Sequence, residues 1–509
     1  MRPSDSTSRE RKRWYSGHTP RTGRLAGPSG TGYGQPCDLI SGTVRRWRAS
    51  DHALDLQVIS GTLISAYLNE GVLPDFGTMV TTRISHNDLD QRRRQVAANI
   101  MRTILAAAVR ADDGTATWIA PVIGPHGWIT QPLSNDLYNG LSGIAVAIAA
   151  YEFEVAHERA DPVAGLGALL GDVLHALQMI EERDQRDLRG TLPVRPDAPG
   201  GYVGIGSLIW SWLLLGRLHV PGLSPAQAVS RALTSATRLA AAIDEDTMID
   251  LFRGMAGAIV PLLRLTEHTA DPRWAALVAD IGSRLTGLAR TDGTGACWGN
   301  GLYQEGVGGT AHGATGIGWA LARLAAHPAV KWAAGQEGSV RRTAAAAFAF
   351  EESLYDTATG SWADLRGSGQ IAAAWCHGAC GIGIVAADLA RAGDQSRWLE
   401  VLRRAARCSW EHGLGANHTL CHGDLGVWEV VDLALAAGAG PDGLDRATLN
   451  ARVICSLGEH GPVVGLARDT LSPGLLAGIS GIAYQLLRTN PRCPLPSVLL
   501  PDPGPLYEL

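Results

Sequence analysis

Ala374-Trp-Cys376-His377-Gly378-Ala-Cys380-Gly381-Ile382 and, 45 residues further on, Thr419-Leu-Cys421-His422-Gly423-Asp424-Leu-Gly426-Val427 are two settings of one pattern. Each places Gly-x-x-Gly ahead of a strongly apolar run. Glycines at i and i+3 share one face of a helix start, where missing side chains let backbones approach closely. The pattern recurs at Gly140-Leu-Ser-Gly143, Gly201-Tyr-Val-Gly204, Gly254-Met-Ala-Gly257, Gly313-Ala-Thr-Gly316 and Gly478-Ile-Ser-Gly481, seven copies in all with spacings of 61, 53, 59, 65, 45 and 55 residues. Such a period holds two helices with their connections. Runs that follow the glycines, such as Leu208-Ile-Trp-Ser-Trp-Leu-Leu-Leu, suit helices surrounded by protein. Alternate runs such as Ala226 to Leu233 and Trp398 to Ala405 carry charge on one side, as outer helices do. The reading is an all-α, double-layer (α/α)7 toroid of seven inner and seven outer helices, with a linear solenoid as the alternative that periodicity leaves open.

Composition agrees with a large globular core. Of 509 residues, 46% are hydrophobic and 18% charged, which excludes a wholly disordered chain. No apolar run reaches the roughly 18 residues of a membrane span, and the Arg-rich start lacks the apolar core of a signal peptide, so a cytoplasmic protein without a membrane span is expected. Eight Cys are too sparse for a disulfide framework and are expected as free thiols or metal ligands. The net charge of −5 is uneven: residues 1–50 hold ten Lys/Arg against three Asp/Glu. That segment is expected to be disordered, and a nucleic-acid partner is not inferred from its charge. Residues 51–135 read as a helical N-terminal extension, with a helix from Asp88 to Ala108, and 136–509 as the repeat domain.

Chemistry gathers at the helix starts. Zinc takes thiolate and imidazole readily, and three protein ligands leave a position open, so Cys376, Cys421 and His422 form a candidate zinc set. Adjacent Cys421 and His422 diverge by about 100° on a regular helix; they can share an ion only at an irregular turn, where Gly423 places them. His377 and Cys380 compete for the third position by local spacing. Metal coordination delivers a cysteine substrate as thiolate at neutral pH, and two thiolate ligands favour thiolate delivery over hydroxide generation. His312, at the fourth repeat start, is a candidate general acid or base. Asp250 positions that His or the substrate, or caps the helix near Gly254; Asp424 caps or reacts on the same evidence.

Together these residues resemble the lanthionine synthetase C-like cyclases, in detail the C-terminal cyclase half of class II lanthipeptide synthetases. The likeness runs from about Asp136 to Pro501. It is carried by Asp136-Leu-Tyr-Asn-Gly-Leu-Ser-Gly-Ile, Ala311-His-Gly, Ala374-Trp-Cys-His-Gly, Thr419 to Gly426, Pro473-Gly-Leu-Leu-Ala-Gly-Ile-Ser-Gly-Ile-Ala-Tyr-Gln and Pro496-Ser-Val-Leu-Leu. The resemblance implies a sevenfold double helical toroid, zinc on Cys376, Cys421 and His422, His312 as acid or base, and Asp250 where the family places an acidic residue. It implies intramolecular Michael addition of a cysteine in a dehydrated precursor peptide to dehydroalanine or dehydrobutyrine. The 135 residues before Asp136 are too few for a dehydratase region, so a separate dehydratase is an expected partner. Some stand-alone members carry Arg four residues before the first zinc cysteine; here that residue is Ala372, and its role is not carried over. Addition of glutathione or another external thiol, and a non-catalytic peptide-binding role, are the competing functions.

Overall fold

The computed structural model describes residues 52–504, apart from 72–77, 82, 125, 189–196, 292, 368–370, 394 and 467–469, with five helical residues between Ser41 and Arg48. The chain divides into residues 1–52 and 53–509. The disorder expected for 1–50 otherwise falls outside the described residues.

The inner layer consists of Leu141–Ala156, Ile205–Arg217, Ile259–Thr266 with a 3-10 turn before it, Ala314–Ala326, Ala379–Ala392, Asp424–Ala436 and Ile479–Arg488. These helices are sheathed by protein; in Ile205–Arg217 every residue is buried. The outer layer is amphipathic. In Gln395–His412 the buried residues are Val401, Leu402, Ala405, Ala406, Cys408 and Ser409, one stripe at helical spacing. Three outer helices start on side-chain caps, from Ser224, Asp271 and Asp445, and Ser224 forms a reciprocal capping box with Gln227 ahead of Pro225–Ala236. Six outer helices follow their inner partners in sequence. The seventh comes from upstream: Leu89–Ala106 packs on Ile479–Arg488 and fills the gap between the outer helices Arg446–His460 and Leu166–Leu188. Two-residue and six-residue antiparallel hairpins, the longest being Ile119–Gly124 with Gly127–Pro132, decorate the helical frame.

Closure is written in backbone hydrogen bonds at the inner helix starts. Tyr138 N–H donates to Tyr202 O, Tyr202 to Phe252 O, Phe252 to Ala311 O, Ala311 to Cys376 O, Trp375 to Cys421 O, Cys421 to Leu476 O, and Leu476 back to Tyr138 O, all between 2.8 and 3.1 Å. The circuit visits each repeat once and returns to its origin, so the ring is closed and the solenoid alternative falls. It also fixes the register of the repeats. The residue two positions after each ring member is the glycine that precedes the inner helix: Gly140, Gly204, Gly254, Gly313, Gly378, Gly423 and Gly478. The second copy is therefore displaced by three from its sequence reading. Gly204, not Gly201, is its first glycine, and Ser207 stands where the others have their second, its hydroxyl turned back onto Gly204 O at 2.6 Å. At Gly481 a Cβ would lie 1.7 Å from Leu475 O, which is why that position tolerates no side chain. Gly204 and Gly378 have φ of 128° and 123° and need glycine for conformation as well as space.

The axis of the ring is filled by the chain's own C-terminal run. Val498 and Leu499 are fully buried, Trp375 Nε1 donates to Leu499 O at 2.7 Å, and Tyr484 Oη donates to Pro496 O at 2.9 Å. At the far ends of the inner helices, Asp502 accepts from Arg264 at 2.7 and 3.1 Å and from Arg323 at 2.7 Å. Burial raises the Asp502 carboxyl, but the Arg264 hydrogen bond and the charges of Arg323 and Arg264 outweigh it and hold it at about 2. A carboxyl depressed in this way stabilises the fold above its unfolded value near 3.9 and loses that contribution as pH falls through about 4 to 2. Asp502→Asn is expected to cost about 2 kcal/mol at pH 7. In denaturant melts the gap between variant and parent should close below pH 3; a gap constant from pH 7 to pH 2.5 would show that the charge plays no part.

Candidate metal centre and acid–base pair

The ring register builds the site. Cys376 and Cys421 are members of the hydrogen-bonded circuit at consecutive repeats, and His312, His377 and His422 each stand one residue after a ring member in three consecutive repeats. Residues that are far apart in sequence are thereby delivered to one rim.

Cys376 Sγ, Cys421 Sγ and a His422 ring nitrogen lie within 4.8 Å of one another. Both cysteines are buried, whereas His422 is exposed. Residues 420–423 form a turn that ends in Gly423 immediately before the inner helix, which frees Cys421 and His422 from helical divergence; His422 Nε2 stands 3.7 Å from Cys421 Sγ. The hydrogen bond from the Cys421 thiol, with the neighbouring His422, pulls Cys376 well below the ordinary thiol range despite burial. Burial and the adjacent Cys376 sulfur push Cys421 up. The Cys376 sulfur in turn raises His422. Two sulfurs and one imidazole converging with an exposed side fit a zinc ion with a position left open.

The competing ligands are placed elsewhere. Cys380 Sγ donates to Gly426 O at 3.0 Å inside the helix packing. His377 is held by burial at about 4, a value that the charges of Arg366 and His312 reinforce, and its ring stacks on His312 with centroids 5.3 Å apart. Asp424 accepts the Gly415 N–H at 2.8 Å, away from the sulfurs.

His312 Nδ1 and Asp250 Oδ2 are 2.6 Å apart. Asp250 is fully buried, and its other oxygen accepts the N–H groups of Arg253 at 2.7 Å and Gly254 at 2.9 Å. One Asp250 oxygen thus accepts from the turn that begins the third inner helix, and the other lies at hydrogen-bond distance from the His312 imidazole. The loop ahead of His312 is fixed from the outer layer, where Glu351 accepts from Gly309 N–H at 2.7 Å and Thr315 Oγ1 at 2.9 Å.

Three neighbours were not read from the sequence. Tyr303 lies 6.1 Å, ring to ring, from both His312 and His377; Asn300 presents it by accepting from Leu302 and Tyr303 N–H groups, both at 2.8 Å. Arg366, paired with Asp364 at 2.7 Å, brings its positive charge to bear on Cys376, His377 and His422. Burial, with the neighbouring Cys421 and Cys376 sulfurs, pushes the Tyr138 phenol up. Tyr303 and Arg366 sit on loops between the helices and belong to no motif, whereas Tyr138 lies within the Asp136-Leu-Tyr-Asn-Gly stretch and shares its register with an aromatic residue in two other repeats.

Among the described residues no helix is long and apolar enough to cross a membrane. Comparison with curated proteins finds no match. Among solved structures, nisin cyclase matches at a TM-score of 0.51 and 17% identity, over 78% of this chain and 94% of that one, a likeness of fold. Residues 131–500 match the profile of the family described as lanthionine synthetase C-like protein. With that match covering most of the chain, and a closed double helical ring beneath it, the protein belongs to the lanthionine synthetase C-like family of thioether-forming cyclases.

Proposed function

We propose that this protein closes (methyl)lanthionine rings by adding a cysteine thiol of a precursor peptide to dehydroalanine or dehydrobutyrine in the same peptide. The observation that carries the reading is the meeting, on one ring of loops, of the Cys376, Cys421 and His422 donors with the His312 and Asp250 pair. Zinc held by Cys376, Cys421 and His422 would acidify a thiol that takes its open position. The reaction is an addition of S–H across C=C. A sulfur lone pair forms the bond to the β-carbon, the π electrons pass to the adjacent carbonyl as an enolate, and a proton is placed on the α-carbon, so neither oxidant nor reductant is consumed.

His312 is the residue that handles that proton. Asp250 Oδ2, 2.6 Å from Nδ1, accepts the proton of the tautomer that leaves Nε2 to face the substrate, and stabilises the imidazolium when Nε2 is protonated. Asp250 is a positioning residue here. Phe252, with its ring 5.1 Å from His312, and Tyr303 wall the imidazole and limit water at the reacting carbon. With Val498 and Leu499 buried on the axis, peptide reaches these groups from the loop-ring side. A separate dehydratase would supply the dehydrated peptide, and both would act in the cytoplasm.

Mass spectrometry with thiol alkylation separates the readings. Ring closure leaves the mass of a dehydrated peptide unchanged and removes one alkylatable thiol per ring. Addition of an external thiol raises the mass by that thiol and leaves the peptide's own cysteines alkylatable. Incubation with dehydrated peptide and excess glutathione is expected to give the first result. Glutathione adducts in its place would assign the chain to external thiol addition, and neither product would leave only peptide binding.

A further inference from the structure

We infer that the substrate peptide is also held away from the reacting groups, in a groove between the helix Ala53–Asn69 and the outer wall of the ring. The groove takes an extended, uncharged or acidic segment of the peptide that lies outside the thioether ring being closed. The inference rests on the peptide-cyclase reading above and adds a second place of contact to it.

Small residues set the groove open. Gly61 and Ser65 are the buried residues of Ala53–Asn69, and they seat it on the hairpin of Ile119–Gly124 and Gly127–Pro132. Ser65 Oγ lies 3.1 Å from Thr130 Oγ1, and Gln57 Nε2 donates to Ile119 O at 2.8 Å. Between this helix and the outer helices Leu89–Ala106 and Arg446–His460 lies a cavity of about 940 Å³, at the upper end of the range for ligand sites.

Its lining suits a peptide. Arg92, Gln95, Asn99 and Thr103 form one row at helical spacing along Leu89–Ala106, and the last three are exposed. Ile454, Leu457 and Leu471 add an apolar surface. An extended chain uses both, polar groups for its backbone and an apolar surface for alternate side chains. Arg92 is the one ionisable side chain lining the groove among the described residues. Its bonded neighbour is Cys455 Sγ at 3.4 Å, with no carboxylate beside it, so the charge favours an acidic occupant. The chain's own residues 1–50, with ten Lys/Arg against three Asp/Glu, are the wrong sign.

The groove also leads to the chemistry. Ser472 and Ile479 line it, and three residues before Ile479 the Leu476 carbonyl accepts the Cys421 N–H at 2.9 Å. Three Cα steps span at most about 11 Å, so roughly five extended residues carry a peptide from the groove to Cys421.

Steady-state cyclisation by the whole protein tests this, with a dehydrated peptide and with the same peptide cut back to the residues of one ring. Leu56→Asp combined with Gln95→Glu puts two negative charges on exposed lining positions. It should raise KM for the longer peptide by about tenfold, with kcat, zinc content and melting temperature kept, and the rise should vanish for the short peptide. Gln95→Lys should lower KM for the longer peptide, and by less as salt is added. Equal KM in parent and double variant overturns the inference; so does an equal rise for both peptides, which would put the effect at the reacting groups. A KM that moves only when residues 1–50 are deleted gives the groove to the chain's own segment, and a change of mass in light scattering of the double variant gives it to a second copy; either overturns the inference while leaving the cyclase reading intact. A parent that cyclises neither peptide removes that reading, and the inference with it.

Discussion

Replacing Cys421 by alanine is expected to abolish stoichiometric zinc and thiol addition in one step. The site offers three donors within 4.8 Å of one another, and removing one leaves Cys376 and His422. Apparent zinc free energies of about 10–16 kcal/mol for four-ligand sites put one ligand at roughly 3 kcal/mol, more than a hundredfold in affinity. The scaffold should survive. Cys421 joins the ring through its backbone, accepting from Trp375 N–H at 3.0 Å and donating to Leu476 O at 2.9 Å, and alanine keeps both bonds. Its side chain is buried, so a small cavity and one lost thiol are the only changes to packing. Metal analysis after gel filtration, with circular dichroism as the check on folding, gives the answer. A folded Cys421→Ala protein that retains one zinc per chain would strike Cys421 from the ligand set and with it the proposed route to the sulfur nucleophile.

How far the sequence reached depended on whether a feature is repeated. The (α/α)7 reading rested on Gly-x-x-Gly because seven repeats pack their inner helices through the same close contact, and a contact made seven times leaves a periodic trace. The Cys-His-Gly triplets were legible for the same reason: Cys376 and Cys421 occupy one ring position in adjacent repeats. What is made once leaves no period. The helix Leu89–Ala106 fills the seventh outer place from upstream of the first repeat, and nothing in its amphipathic pattern says which inner helix it covers. Tyr303 and Arg366 reach the site from connecting loops, and the C-terminal run fills the axis through buried apolar residues that read as any core segment. The misplaced register of the second copy has a local cause. Gly200, Gly201, Gly204 and Gly206 crowd one stretch, and two phases satisfy a glycine pattern there; the backbone circuit through Tyr202 selects the later one.

His312→Asn should keep the metal and lose turnover by a hundredfold or more, the usual scale of a general acid–base contribution. The substitution is mild by geometry. His312 is not among the three sulfur and nitrogen donors, and Asp250 remains satisfied through Arg253 and Gly254 N–H groups at 2.7 and 2.9 Å, so the turn that starts the third inner helix stays in place. An asparagine amide can still donate to Asp250 but cannot carry a proton to carbon. The loss should therefore appear in the chemical step, with zinc content and peptide affinity unchanged. Asp250→Asn gives the companion measurement. If Asp250 acts through the imidazole, its replacement lowers turnover in the parent and adds nothing in the His312→Asn background, the non-additivity expected of groups that work as a unit. Additive losses would give Asp250 a task of its own, and an unchanged rate in His312→Asn would return the proton to solvent and leave His312 as part of the wall.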